Sequence, residues 1–189
     1  MRRSKVATPK SILICAATVA VAASLVWAQP PGRKQPLSPP AETSVTIAGK
    51  TLTIKYSAPS VRGRKIFGEG VVVSQGPTYP VWRAGANAAT AFHADADLDI
   101  KGLAVPKGDY TIFAKVDAEP WLLIINKQTG QWGLAYDQGQ DLGRVPMDMS
   151  KPPAPIETCK ITLSSTGGNA GKLQIEFENS IASVQFTVK

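Results

Sequence analysis

The chain carries one histidine, His93. A metal centre with two or three imidazole ligands therefore cannot be assembled within one chain. Histidine-based acid–base chemistry would have to run through His93 alone. Asp95, Asp97 and Asp99 follow it at two-residue steps. On a single strand all four would leave one face, with Phe92, Ala94, Ala96, Leu98 and Ile100 turned inward. One imidazole with three carboxylates suits a hard or borderline cation. The calcium-loop spacing fails, however: Ile100 stands where glycine belongs, and Pro106 where the bidentate glutamate belongs. A solvated acidic face guarding an edge strand is the stronger reading, and no metal or cofactor is expected. No Gly-x-Ser-x-Gly elbow accompanies the histidine. Cys159 alternates with Ile161 and Leu163, which makes it a buried core thiol rather than a nucleophile.

Two other segments hold residues able to grip a ligand. In VRGRKIFGEG, residues 61–70, Arg62, Arg64 and Lys65 stand among glycines. Guanidinium offers a planar fork of donors to a carboxylate, phosphate or sulfate. Loop arginines also pin backbone carbonyls, and Ile66-Phe67 draws this loop back to the core, so a structural role stands somewhat ahead. In YPVWRAGANAAT, residues 79–90, Trp82 and Arg83 are adjacent and face opposite ways on a strand. Gly85-Ala86-Asn87 forms a tight turn of small residues that lets backbone come close. Trp82, Arg83, Asn87 and Thr90 would then suit a sugar ring or a polar small molecule. The opposing reading places Trp82 in the core and bonds Asn87 to its own turn; the two are evenly matched.

The elements that must hold these residues follow from patterning. Residues 1–10 carry Arg2, Arg3, Lys5 and Lys10 and no acid; an apolar run over 12–26 ends in Val26-Trp27-Ala28. That is a signal peptide over residues 1–28, too short for a spanning helix. An uncleaved leader would be the chain's only membrane attachment. The formal +7 falls by the four leader charges to +3, so the basic pI is an export feature, and no nucleic-acid partner is expected. Residues 29–42 contain Pro30, Pro31, Pro36, Pro39 and Pro40 and read as an extended or disordered linker. With one cysteine left after the leader, no internal disulfide can form, and the core alone must hold the domain.

From Thr43 the dominant period is two. Val45 and Ile47, then Leu52, Ile54 and Tyr56, flank Ala48-Gly49 as a hairpin. Pro106-Lys107-Gly108-Asp109 is a turn leading into an alternating strand over 110–116. Residues 121–125 are apolar throughout, as a strand buried on both faces would be. Gln128-Thr129-Gly130 reads as a turn. Residues 159–163, 172–178 and 183–189 alternate again, with Leu173, Ile175 and Phe177 inward against Lys172, Gln174, Glu176 and Glu178 outward. About nine short strands broken by Gly and Pro, with no run at helical spacing, predict one all-β domain over residues 43–189, a jelly-roll-like β-sandwich.

Four stretches carry a family resemblance: YSAPSVRGRKIFG at 56–68, VWRAGANAAT at 81–90, VPKGDY at 105–110 and NKQTGQWG at 126–133. Together the series resembles the DUF2911 family, secreted bacterial proteins of unknown function. The resemblance implies export and a single small domain; it brings no activity, cofactor or catalytic residues. Residues 69–80 are longer and more irregular than the link associated with the family. The expected function is a non-catalytic module outside the cytoplasm, secreted or periplasmic, that binds a small polar or carbohydrate ligand or an envelope protein. Trp82, Arg83, Asn87, Arg62 and Arg64 would form its recognition surface. The alternative is a hydrolase or lyase using His93 with an aspartate or Glu69.

Overall fold

The computed structural model describes residues 36–189; the leader and residues 29–35 of the linker lie outside the described residues. Two antiparallel sheets pack face to face. The first contains β1 (Pro40–Ile47), β2 (Lys50–Ser57), β3 (Val81–Trp82), β4 (Thr90–Ala94), β7 (Gly108–Lys115), β8 (Leu122–Asn126) and β9 (Asp141–Pro146). Its order is β1-β2-β4-β7-β8-β9, with β3 also on β7. The second contains β5 (Leu98–Ile100), β6 (Leu103–Val105), β10 (Asp148–Ser150), β11 (Ile156–Gly167), β12 (Ala170–Glu178) and β13 (Ser180–Val188). Its order is β11-β12-β13-β5-β6, with β10 on β13. This is the β-sandwich expected, with a strand order that runs mainly through consecutive meanders.

Alternation does most of the work. Leu52 and Ile54 from β2, Phe92 and Ala94 from β4, Cys159, Ile161 and Leu163 from β11, Leu173, Ile175 and Phe177 from β12, and Val184, Phe186 and Val188 from β13 all meet in one core cluster between the sheets. Each large side chain so buried contributes about 1.5–3 kcal/mol of transfer free energy. The β1–β2 turn is the expected one, with Ala48 and Gly49 both at positive φ. In β8, Leu123 and Ile125 enter the main core while Ile124 packs on the opposite face with Val81 and Phe113. That explains a strand without alternation.

Five expectations are corrected. Residues 93–99 are not one strand: β4 ends at Ala94, and the chain crosses to the other sheet before β5 begins. Phe92, Ala94, Ala96, Leu98 and Ile100 still alternate inward, because the crossing keeps facing the same core. The acidic face therefore guards no edge, since β4 lies between β2 and β7 and β5 lies between β13 and β6. β1 takes in Pro40, Ala41 and Glu42, which the sequence assigned to the linker. Pro40 tolerates an edge position because its missing N–H costs no ladder bond there. Glu178 is buried rather than outward, because its positive φ of 54° breaks the alternation at the end of β12. Thirteen strands are present among the described residues rather than about nine; β3, β5, β6 and β10 have two or three residues, too few to show a period.

Candidate functional site

β3 and β4 pair with the same edge of β7 in succession: Val81 and Trp82 opposite Lys115 and Ala114, then residues 90–94 opposite 112–108. Between them, residues 83–89 leave the sheet and return. This excursion forms one wall of a pocket of about 550 Å³. The other walls come from residues 59–66 after β2, from the 72–78 stretch, from Leu37-Ser38 and from Leu134. Trp82, Ile66 and Phe177 make an apolar floor. Arg62, Arg64 and Arg83 all line the pocket, and no aspartate or glutamate does.

The three arginines differ in what already holds them. Arg64 donates from Nε to the Val61 carbonyl at 3.0 Å and from Nη2 to the Ser60 carbonyl at 2.8 Å. Arg62 donates from Nη2 to the Leu37 carbonyl. These two carry out the carbonyl-pinning role and shape the wall. Arg83 has no hydrogen bond or ion pair among the described residues, and its Nε is buried without an acceptor. Burial holds its pKa below the usual arginine value. Arg83 as a whole is half-buried, and burying its Nε–H without an acceptor is unfavourable. An anion entering the pocket would supply the missing acceptor.

Neighbouring groups fix the site. The Glu178 carboxylate accepts the backbone N–H of Ile66 at 3.1 Å and of Phe67 at 3.3 Å, anchoring the arginine loop to β12. Glu157 accepts the Arg62 N–H at 2.9 Å. Residues 131–133 zip onto the excursion: the Ala89 N–H donates to the Gln131 carbonyl, and the Gly133 N–H to the Asn87 carbonyl. Gly133 is needed there. A Cβ would lie 2.1 Å from Arg83 Cδ and 2.7 Å from the Asn87 carbonyl oxygen. Arg62 and Asn87 at the pocket wall, and buried Ala84 beside Arg83, adopt positive φ, strain of the kind that gathers at ligand sites. Sequence reasoning missed Glu178, Glu157 and Gly133. Glu178 looked like one more outward strand residue, and Gly133 contacts Arg83 only through backbone pairing between distant segments. Within the resemblance, residues 126–133 were the one stretch that pointed there.

Five of the seven candidate residues, Arg62, Arg64, Trp82, Arg83 and Asn87, thus meet at one pocket. Trp82 is 6% exposed and packs against Phe67, Trp121 and Phe177, with Phe177 stacked on it at 14°. It has no open face on which a sugar could lie. Asn87 stands exposed at the lip. Thr90 is fully buried and donates from Oγ1 to the Ala84 carbonyl at 3.2 Å, so it braces the excursion from beneath. Lys65 and Glu69 do not line this pocket.

His93 lies elsewhere, on the outer face of the first sheet beside a second hollow of about 510 Å³ with mixed charge from Glu42, Lys55 and Asp109. Its Nδ1 is 2.7 Å from Asp109 and its Nε2 2.9 Å from Asp95. Only the imidazolium can donate from both nitrogens. Hydrogen bonds to Asp95 and Asp109 raise its pKa, and the same bond lowers that of Asp95. A hydrolytic or lyase step through His93 would first need one nitrogen released from its carboxylate. Asp97 and Asp99 turn away to other partners. Asp97 accepts the Lys107 N–H, and Asp99 accepts the Gly102 N–H and the Lys189 ammonium. Among the described residues, no group of His, Cys, Asp and Glu side chains is placed to hold a metal ion. Cys159 is buried, and burial pushes its thiol up to about 12.

No curated protein and no solved structure matches the chain significantly. Residues 38–186, nearly the whole of the two sheets and every wall of the pocket except Leu37, match the family described as "Protein of unknown function (DUF2911)", and the chain belongs to that family.

Proposed function

We propose that the protein is an exported, non-catalytic binding module that holds a small anionic ligand in the arginine pocket. One observation carries the reading: a pocket lined by three arginines and no acid, in which Arg83 has no partner among the described residues. The volume of about 550 Å³ falls in the range of small-molecule sites. The carbohydrate reading loses its stacking platform with the burial of Trp82. Export rests on the leader pattern of residues 1–28.

Calorimetric titration of the purified protein with acetate, succinate, phosphate and sulfate tests the reading. At least one anion is expected to bind, with Arg83→Gln weakening it by about 1.5–3 kcal/mol, the range for a charge-assisted hydrogen bond. Binding that is indifferent to Arg83→Gln would defeat the assignment.

A further inference from the structure

Five large apolar side chains are exposed among the described residues: Leu37, Val72, Tyr79, Trp132 and Leu134, from 37% to 72%. Scattered exposed apolar residues are ordinary; three of these five are not scattered. Leu37, Val72 and Leu134 line the arginine pocket. Tyr79 and Trp132 lie outside its lining. The rest of the described surface carries none of this size. An apolar surface gathered at one opening marks a place that something apolar covers.

The floor is apolar as well, built from Ile66, Trp82 and Phe177. Arg62 and Arg64 are committed in part to backbone carbonyls, which leaves Arg83 as the pocket arginine with no hydrogen-bond or ion-pair partner among the described residues. One such cation suits one anionic head rather than a polyanion. A bare phosphate or sulfate would satisfy Arg83 and leave the exposed rim residues Leu37, Val72 and Leu134 wet.

Resting on the anion-binding reading, we propose that the ligand is a small amphiphilic monoanion. Its carboxylate would meet Arg83, and an apolar body would run over Val72 and Leu134 toward Leu37. The 72–78 stretch, part of the 69–80 segment that is longer than the link associated with the family, supplies Val72, Val73 and Pro77 to this wall.

The test compares acetate, octanoate and octanol on the purified protein, with Trp132 fluorescence and calorimetry as readouts. Octanoate is expected to bind more tightly than acetate by roughly fourfold for each methylene buried. Octanol is expected to bind about tenfold or more weakly than octanoate, for want of the charge. The double variant Val72→Asn, Leu134→Asn changes exposed positions only. It should bring octanoate down toward acetate; circular dichroism confirms that the fold is kept. Octanoate no tighter than acetate, with Arg83→Gln still abolishing both, would overturn the amphiphile and leave the anion site standing. Octanoate and octanol binding equally well, both indifferent to Arg83→Gln, would overturn both readings. Retention on phosphatidylglycerol vesicles without binding of free octanoate would overturn the proposal in favour of a membrane surface.

Discussion

Arg83 and Trp82 are chain neighbours with opposite fates. Trp82 turns into the aromatic floor, so Trp82→Ala should cost about 3–5 kcal/mol of stability, read by urea unfolding. Arg83 turns toward the pocket with its Nε unsatisfied. Arg83→Met should therefore stabilise the empty protein by about 0.5–1 kcal/mol while removing anion binding, the trade-off typical of a residue kept for function. A melting curve with and without ligand reads both effects. Gly133→Ala should mimic the binding loss, because its Cβ displaces Arg83 Cδ. The Cys159 thiol, with its pKa at about 12, should stay unreactive toward thiol reagents until the protein unfolds. The arginines and the small-residue turn were legible because their composition is unusual for strands. The role of Glu178 was not, since one positive φ reversed the direction that alternation gave it.

At the level of elements, the two-residue periods of β2, β11, β12 and β13 and the hairpin at Ala48-Gly49 were legible, whereas residues 110–114 of β7, expected to alternate, are buried on both faces, and the six-residue β9 was not seen. The crossing after β4 was not visible. A chain that changes sheets while facing the same core keeps the inward rhythm of Phe92, Ala94, Ala96 and Leu98. His93 ties β4 to β7 through Asp109 and to the crossing through Asp95. Its pKa is raised in the folded state. The resulting stabilisation is complete below the ordinary imidazole pKa of about 6.5, fades as pH rises through the higher folded value, and is absent in alkali. The depressed pKa of Asp95 adds a term present above about pH 3.9 and lost as pH falls through its lower folded value. Wild type should therefore exceed His93→Gln in stability by more at about pH 5.5 than at about pH 9. The difference should be small, because the pair is half exposed.

Across the whole molecule, the two sheets are tied along both flanks. On one side the Leu163 N–H donates to Thr43 Oγ1 at 3.2 Å and the Ile161 N–H to Tyr56 Oη at 3.0 Å. On the other, Leu103 of β6 presses on Gly143 of β9. Gly171 of β12 shows how close the layers come: a Cβ there would lie 2.3 Å from Phe186 Cζ and 2.7 Å from Ile47 Cδ1 of the opposite sheet. Gly171→Ala should cost about 1–3 kcal/mol by overpacking, measured by chemical denaturation. The sandwich was legible because burial imposes a two-residue rhythm on long strands. The pocket as an assembled object was not, because loops from β2, β3 and β8 converge on it without any local pattern recording that they meet.

The most direct measurement is the side-chain Nε–H resonance of Arg83 in a nitrogen-15 spectrum, followed while octanoate is added. The Arg83 signal is expected to shift and saturate together with the calorimetric isotherm, as its unpaired donor gains an acceptor. An Arg83 signal that stays in place while octanoate binds would contradict the account.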